Sequence, residues 1–85
     1  MKNISFTKAA WADYQFWVNS DQKKLKKINS MIEEITRTPF EGTGQPEPLK
    51  HQLSGFWSRR IDKENRLVYK IETNNIEIIS CKGHY

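Results

Sequence analysis

Residues 56–82, FWSRRIDKENRLVYKIETNNIEIISCK, decide the fold of this chain. Three runs rich in β-branched and aromatic residues are separated by two polar breaks, at residues 62–65 and 73–75. Runs of this kind, bounded by short polar turns, are typical of consecutive antiparallel strands. The sequence therefore predicts three strands, over residues 56–61, 66–72 and 76–82.

Alternation along the strand at residues 66–72 separates two faces. One set of side chains is apolar and should meet the helices: Leu67, Tyr69 and Ile71. The other set faces away and carries two cations: Arg66, Val68 and Lys70. In the last strand both sets are largely apolar, Ile76, Ile78 and Ser80 on one side and Glu77, Ile79 and Cys81 on the other. That pattern predicts a strand in the interior of the sheet.

Two helices precede this region, after a brief strand at residues 3–6. Thr7 can cap a helix over residues 8–19, and the polar break at residues 19–21 can cap a second helix that ends before Pro39. The second helix has one continuous apolar face, formed by Leu25, Ile28, Ile32 and Ile35. The first helix carries an aromatic stripe, which is more often core than a base-stacking platform: Trp11, Tyr14 and Val18, widened by Ala10 and Trp17.

The expected fold class is α+β, in one domain over residues 1–85. We expect two helices on one face of a mainly antiparallel sheet, with a short first strand followed by a four-strand meander that begins at residues 49–53. Such an arrangement leaves the other face of the sheet partly free.

Composition and charge limit the class of protein. The chain has 85 residues, one cysteine, Cys81, and no long apolar run, which together favour a cytoplasmic protein without a membrane segment. Residues 50–70 contain six Lys or Arg and two acidic residues, a local excess of +4 that equals the net charge of the whole chain. A basic strand region is suited to a polyanion such as nucleic acid, although a solubilising surface explains the charge equally well.

Few residues could carry chemistry, and no pair of Cys and His has the spacing of a metal site. Glu47 lies between two prolines that stiffen its backbone, so it could act as a base or be an ordinary solvated glutamate. Arg66, on the free face, could bind phosphate or pair with a surface acid. His84 could act as an acid, and Tyr85 could stack on a base or donate a hydrogen bond, or both could be incidental tail residues.

Several ordered motifs together resemble the YoeB branch of the RelE-type bacterial toxins. The matching stretches are residues 37–42 (RTPFEG), 46–50 (PEPLK), 55–61 (GFWSRRI), 65–69 (NRLVY) and the closing His84-Tyr85. The resemblance covers nearly the whole chain. It implies a fold similar to microbial ribonucleases and a toxin that cuts mRNA at the ribosomal A site without a cofactor.

The resemblance also implies roles for individual residues. Glu47 would be the general base, Arg66 would stabilise the transition state, His84 would be the general acid, and Tyr85 would orient the substrate. The weaker expectations are phosphate contacts by Lys50, Arg59 and Arg60. Because Arg59 and Arg60 alternate along a strand, at most one of them should touch the substrate, and we expect it to be Arg60.

The resemblance implies three partners: the ribosome, mRNA and a YefM-like antitoxin. The chain could also associate with a second copy of itself as a homodimer. A basic, partly apolar face suits an acidic antitoxin segment that folds on binding, and we expect it to cover or displace the tail at residues 82–85. Two other functions are also consistent with the sequence. The chain could bind RNA or the ribosome without cutting, or it could be a basic scaffold for an acidic protein.

Overall fold

Residues 2–49 and 55–83 are described in the computed structural model of the chain. These residues form five strands and two helices. In chain order the elements are β1 (Asn3–Phe6), α1 (Lys8–Ser20), α2 (Gln22–Arg37), β2 (Glu47–Pro48), β3 (Phe56–Arg60), β4 (Arg66–Ile71) and β5 (Asn75–Ser80). The helices pack on one face of the sheet, which confirms the predicted α+β class.

The strands form one mixed sheet in the order β1-β5-β4-β3-β2. Strands β2 to β5 are antiparallel neighbours, as the sequence predicts for a meander. Strand β1 instead runs parallel to β5, with Ile4 opposite Ile76. A parallel pair needs a long crossover, which α1 and α2 begin. The pairing with β1 makes β5 an interior strand, as predicted.

Both helices begin at the capping residues that the sequence indicates. The Thr7 hydroxyl accepts a hydrogen bond from the Ala10 amide at 3.0 Å. The Asp21 carboxylate accepts from the Lys23 and Lys24 amides, each at 3.1 Å. These bonds satisfy amides that have no partner within the first helical turn. Within the described residues, no helix is both long enough and apolar enough to span a bilayer.

The core lies between the helices and the sheet. Its buried residues come from both helices and from the sheet region: Ala10, Trp17, Ile28, Met31, Ile32, Ile35, Ile61, Leu67, Tyr69, Ile76, Ile78 and Cys81. Leu67 and Tyr69 therefore face the helices as predicted, and Ile71 packs against the same cluster. The apolar face of α2 is likewise confirmed, with Leu25 at its margin.

Trp11 is exposed, although the sequence predicts that it belongs to a buried aromatic stripe on α1. Its side chain is 52% exposed, whereas Ala10 and Trp17 are buried. Trp11 lies beside β1, packing edge-on against Phe6 and stacking on Tyr14. Because β1 is a short edge strand, it leaves this aromatic group on one wall of an open groove of about 420 Å³. The inward side of α1 is therefore centred on Ala10 and Trp17.

A β-bulge in β5 changes the predicted parity of the last strand. Tyr69 pairs with Ile78, but the preceding residue, Val68, pairs with Ser80, so Ile79 is the extra residue. Ile76 and Ile78 face the helices as the alternation predicts. Beyond the bulge the faces are exchanged, so that Cys81 joins the core and the predicted grouping of Ser80 with Ile78 is wrong.

The described part of the meander begins two residues before its predicted first strand, residues 49–53. Strand β2 consists of Glu47 and Pro48, opposite Ser58 and Trp57. Pro48 has no amide to donate, which an edge strand tolerates. The Leu49 amide still donates to the Phe56 carbonyl at 2.8 Å. Residues 50–53 lie outside the described part of the chain.

Candidate functional site

The strand register brings four polar side chains to one face of the sheet. Glu47 on β2 is opposite Ser58 on β3, and Ser58 is opposite Val68 on β4. Arg66 on β4 is opposite Arg60 on β3. Because side chains two residues apart share a face, Glu47, Ser58, Arg60 and Arg66 all lie on the side away from the helices.

Glu47 and Arg66 are in direct contact on this face. Nη1 of Arg66 donates to Oε1 of Glu47 and to Oγ of Ser58, each at 3.2 Å. The Glu47 side chain is 59% exposed and that of Arg66 is 16% exposed. The carboxylate is therefore open to a ligand, while the guanidinium lies in the sheet surface. Within the described residues the Arg66 guanidinium donates through Nη1 alone, and its remaining N–H groups have no protein acceptor there.

Ser58 is a member of this site that the sequence analysis missed. It is buried, and its hydroxyl accepts a hydrogen bond from Arg66. The signal was present in the alternation of β3, since Ser58 and Arg60 share a parity. Sequence alone does not give the register of β3 against β4, and that register puts Ser58 beside Arg66.

The segment before Glu47 follows an unusual backbone path. Gly42, Gly44 and Gln45 all have positive φ angles, of 123°, 87° and 53°. A Cβ atom on Gly44 would lie 2.8 Å from the Arg60 carbonyl oxygen, so glycine is required there by space as well as by conformation. The Arg60 amide donates to the Gly44 carbonyl at 2.7 Å, which fixes this segment along β3.

Arg59 and Arg60 lie on opposite faces, as alternation predicts. Arg60 is exposed on the same face as Glu47 and Arg66. Arg59 is fully buried, and its guanidinium donates to the Tyr69 hydroxyl, to Glu34 and to three backbone carbonyls. The expectation of a phosphate contact at Arg59 is therefore wrong, because this side chain is not at the surface.

The chain returns to the same site at its last described residue. The Arg66 amide donates to the Gly83 carbonyl at 2.9 Å, and the Gly83 amide donates to Oδ1 of Asn65 at 2.9 Å. Gly83 is thus held against the first residue of β4, which is also the residue that contacts Glu47. His84 follows Gly83 directly in the sequence. His84, Tyr85 and Lys50 lie outside the described residues.

Two other types of site find no support. Cys81 is buried, and this burial, with the nearby Asp13 carboxylate as a smaller cause, raises the pKa of its thiol to about 12. A thiol of that kind is a poor nucleophile at neutral pH. Across residues 2–49 and 55–83, no three His, Cys, Asp or Glu side chains are grouped so that they could hold a metal ion.

Comparison with known sequences gives one family. The family model described as "YoeB-like toxin of bacterial type II toxin-antitoxin system" matches residues 6–85 of this chain. Toxin YoeB of Synechocystis is 54% identical over 82 residues, which cover 96% of this chain and 95% of that protein. Toxin YoeB of Escherichia coli K12 is 51% identical over 82 residues, covering 96% and 98%.

Solved structures agree with that assignment over the whole chain. A YoeB/ParE toxin from Agrobacterium tumefaciens has a TM-score of 0.96 at 45% identity, with 100% of both chains covered. A YoeB dimer from Staphylococcus aureus has a TM-score of 0.93 at 47% identity, covering 99% of this chain and 98% of that one. A YoeB-YefM complex from the same organism has a TM-score of 0.91 at 45% identity, covering 100% and 99%.

Proposed function

The chain belongs to the YoeB-like family of toxins from bacterial type II toxin–antitoxin systems, and we propose that it is an endoribonuclease that cleaves mRNA at the ribosomal A site. One observation carries the proposal. An exposed carboxylate, that of Glu47, and a cation, Arg66, are 3.2 Å apart on the free face of the sheet, and the Gly83 backbone is held against Arg66. The residue after Gly83 is a histidine.

The proposed reaction uses the 2′-hydroxyl of the RNA as the nucleophile. Glu47 takes the hydroxyl proton, and the oxygen attacks the adjacent phosphorus. Arg66 donates to the non-bridging oxygens, on which negative charge increases in the transition state. His84 protonates the departing 5′-oxygen. The products are a 2′,3′-cyclic phosphate and a 5′-hydroxyl end, so protons and bonds balance without water or a metal ion.

Arg60 extends the proposed contacts along the same face. Arg60 lies opposite Arg66 and is suited to a neighbouring phosphate. Lys50 and Tyr85 keep the roles that the family resemblance implies, a phosphate contact and the orientation of the substrate. The arrangement supports a short electropositive track that follows an RNA backbone past Glu47.

We also propose the partners and the compartment. A Staphylococcus aureus relative is known in a complex with YefM and as a dimer. By analogy, this chain would bind a YefM-like antitoxin whose acidic segment covers the tail, and would be able to form a homodimer. Its place of action would be the cytoplasm, where mRNA is translated. A toxin–antitoxin complex that cleaved mRNA as fast as the toxin alone would contradict the proposed position of the antitoxin.

The proposal can be tested with ribosomes stalled on a defined mRNA. Primer extension should show a discrete break in the A-site codon, and the 3′ end should be a 2′,3′-cyclic phosphate. A matched mRNA with a single 2′-deoxynucleotide on the 5′ side of the scissile bond should not be cut, because it has no nucleophile. Cleavage of the deoxy-substituted mRNA at the same bond would contradict the mechanism.

The same experiment separates the enzyme from a non-catalytic binder. Arg60, Arg66 and Lys70 share the free face, and a cationic face of this kind could also bind ribosomal RNA without chemistry. Translation that stops while the mRNA remains intact would favour the binder. Breaks that require the 2′-hydroxyl would favour the nuclease.

A further inference from the structure

Arg59 binds the backbone of one segment, residues 38–43, through both of its terminal nitrogens. Nη2 donates to the Thr38 carbonyl at 2.7 Å and to the Glu41 carbonyl at 3.0 Å. Nη1 donates to the Thr43 carbonyl at 3.2 Å and also to Glu34. The guanidinium is fully buried, so these acceptors replace its water. A single side chain thereby fixes three carbonyls of an irregular loop.

Two further side chains complete this arrangement. The Tyr69 hydroxyl accepts from Nε of Arg59 at 3.0 Å and donates to the Pro39 carbonyl at 2.8 Å. Glu34, on α2, accepts from the Thr43 amide at 2.7 Å and from the Thr43 hydroxyl at 3.1 Å. Hydrogen bonds from the Thr43 amide and from Arg59 hold the pKa of Glu34 below its usual value. We name Arg59, Tyr69 and Glu34 the guanidinium clamp.

The clamped segment leads directly to the proposed base. Glu47 follows Thr43 by four residues, and between them the Gly44 carbonyl accepts from the Arg60 amide at 2.7 Å. Gly42 lies against the Glu34 carboxylate and the Arg59 guanidinium, so the loop is also closely packed on the clamp. The clamp lies on the helix side of the sheet, whereas Glu47 lies on the opposite face, so the clamp does not contact the site.

We propose that Arg59 is a positioning residue, which holds residues 38–47 so that Glu47 stays in contact with Arg66. The inference rests on the proposed function, because it assigns Arg59 to the placement of the base in RNA cleavage. A loop without these bonds would be expected to move, since connecting segments have few other restraints. A displacement of the base by about 1 Å can lower a rate by about 100-fold.

Burial of the cation is better explained by positioning than by stability. A buried charged side chain is costly to desolvate, and an apolar residue of similar size often stabilises a fold equally well. A methionine at position 59 could fill the space, but it could not bind four separate points of the loop and α2. The planar guanidinium can do so because its five N–H groups point in fixed directions.

Three substitutions remove parts of the clamp to different extents. Arg59→Lys keeps the charge but loses the fork of donors, Tyr69→Phe removes one hydroxyl, and Glu34→Gln removes one charge with little change in size. Thr7→Ala is the matched control, because it removes the N-terminal cap of α1 and destabilises the fold at a distance from residues 38–47. If Arg59→Lys does not fold, the two milder variants carry the same test.

The decisive measurement is a double-mutant cycle with Glu47→Gln. With Glu47 present, Arg59→Lys should lower kcat by about 10- to 100-fold, with little change in KM. In the Glu47→Gln background the same substitution should lower the residual kcat by less than about 3-fold, because the base that it positions is already absent. Equal losses in both backgrounds, as expected for Thr7→Ala, would overturn the proposal.

A second readout does not depend on activity. Amide hydrogen exchange at Thr43, and the chemical shift of the Glu47 amide, should change in the clamp variants but not in Thr7→Ala. Unchanged exchange and shifts in all three clamp variants would overturn the inference. If the wild-type protein cleaved no RNA, the proposed function would fail, and the part of Arg59 in positioning the base would fail with it. Exchange data would then still show whether the clamp holds the loop.

Discussion

The Arg66 guanidinium is held in the sheet surface by partial burial and by two hydrogen bonds. The side chain is 16% exposed, and Ser58 and Glu47 accept from the same nitrogen, Nη1. Partial burial strengthens electrostatic interactions because less water screens them. The guanidinium is therefore held in a fixed orientation in the sheet surface. A lysine could supply the charge at this position but not the parallel donors.

Replacing Glu47 by glutamine tests the base directly. Glu47→Gln keeps the size of the side chain but removes its capacity to take a proton, so cleavage should fall by about 100- to 10,000-fold. The matched control is Glu33→Gln, because Glu33 is also exposed and also lies 3.2 Å from an arginine, Arg37. The control should cleave at the wild-type rate in the stalled-ribosome assay. A similar loss in both variants would show that Glu47 has no specific role.

At the scale of elements, the turn between β3 and β4 contacts both α2 and Gly83. Asp62 in this turn forms a salt bridge with Lys24 of α2 at 2.6 Å and accepts from the Asn65 amide at 2.8 Å. Asn65 in turn accepts from the Gly83 amide. The turn therefore fixes both the start of β4 and the last described residue. A polar turn of four residues has a structural role that its composition does not reveal.

The Asp62 carboxylate should make stability depend on pH. The Lys24 ammonium first, and then the turn amides, hold the pKa of Asp62 well below its usual value. A depressed pKa in the folded state stabilises the protein above the unfolded pKa of about 3.9, and the contribution is lost as the pH falls below that value. Asp62→Asn should therefore lower the free energy of unfolding by about 1–2 kcal/mol at pH 7.

Urea unfolding at pH 7 and at pH 3 would measure this effect. The difference between wild type and Asp62→Asn should be smaller at pH 3, because the Asp62 carboxylate of the unfolded wild type takes up a proton at that pH whereas the folded one remains charged. Glu64→Gln is the control in the same turn, since only its backbone amide binds Asp62, and its unfolding should follow the wild type at both pH values. A difference that stays constant between the two pH values would rule out the carboxylate as the cause.

At the scale of the whole molecule, the sheet brings together three distant parts of the chain. Glu47 comes from the first strand of the meander, Arg66 from the third, and Gly83 from the segment after the last. The bulge at Ile79 contributes to this convergence, because it turns Cys81 into the core before the chain reaches Gly83. The Trp17 indole donates to the Cys81 carbonyl at 2.8 Å and anchors the chain there.

Removal of residues 84 and 85 should separate chemistry from folding. Gly83, Cys81 and their hydrogen bonds precede the deletion, so the free energy of unfolding should change by less than about 1 kcal/mol. Binding to RNA should persist through Arg60 and Arg66, while cleavage should fall by about 100-fold or more with the loss of the acid. Circular dichroism, filter binding and primer extension would measure the three properties. Retained cleavage would exclude His84 as the acid.

Sequence alone predicted the elements and their order, because these depend on local patterns. The apolar face of α2, the caps at Thr7 and Asp21 and the alternation along β4 are all properties of neighbouring residues. The same patterns, with the family resemblance, selected Glu47 and Arg66 as a pair. Their predicted roles in catalysis await the experiments above.

Tertiary structure alone added Ser58 to the site and decided how the side chains are held. Ser58 belongs to the site because of the register between β3 and β4, and Arg59 is buried because residues 38–43 wrap around it. Sequence could not show that β1 lies parallel to β5, nor that a bulge exchanges the faces after Ile78. Register, bulges and loop wrapping depend on contacts between residues far apart in the chain, and local periodicity carries no information about those contacts.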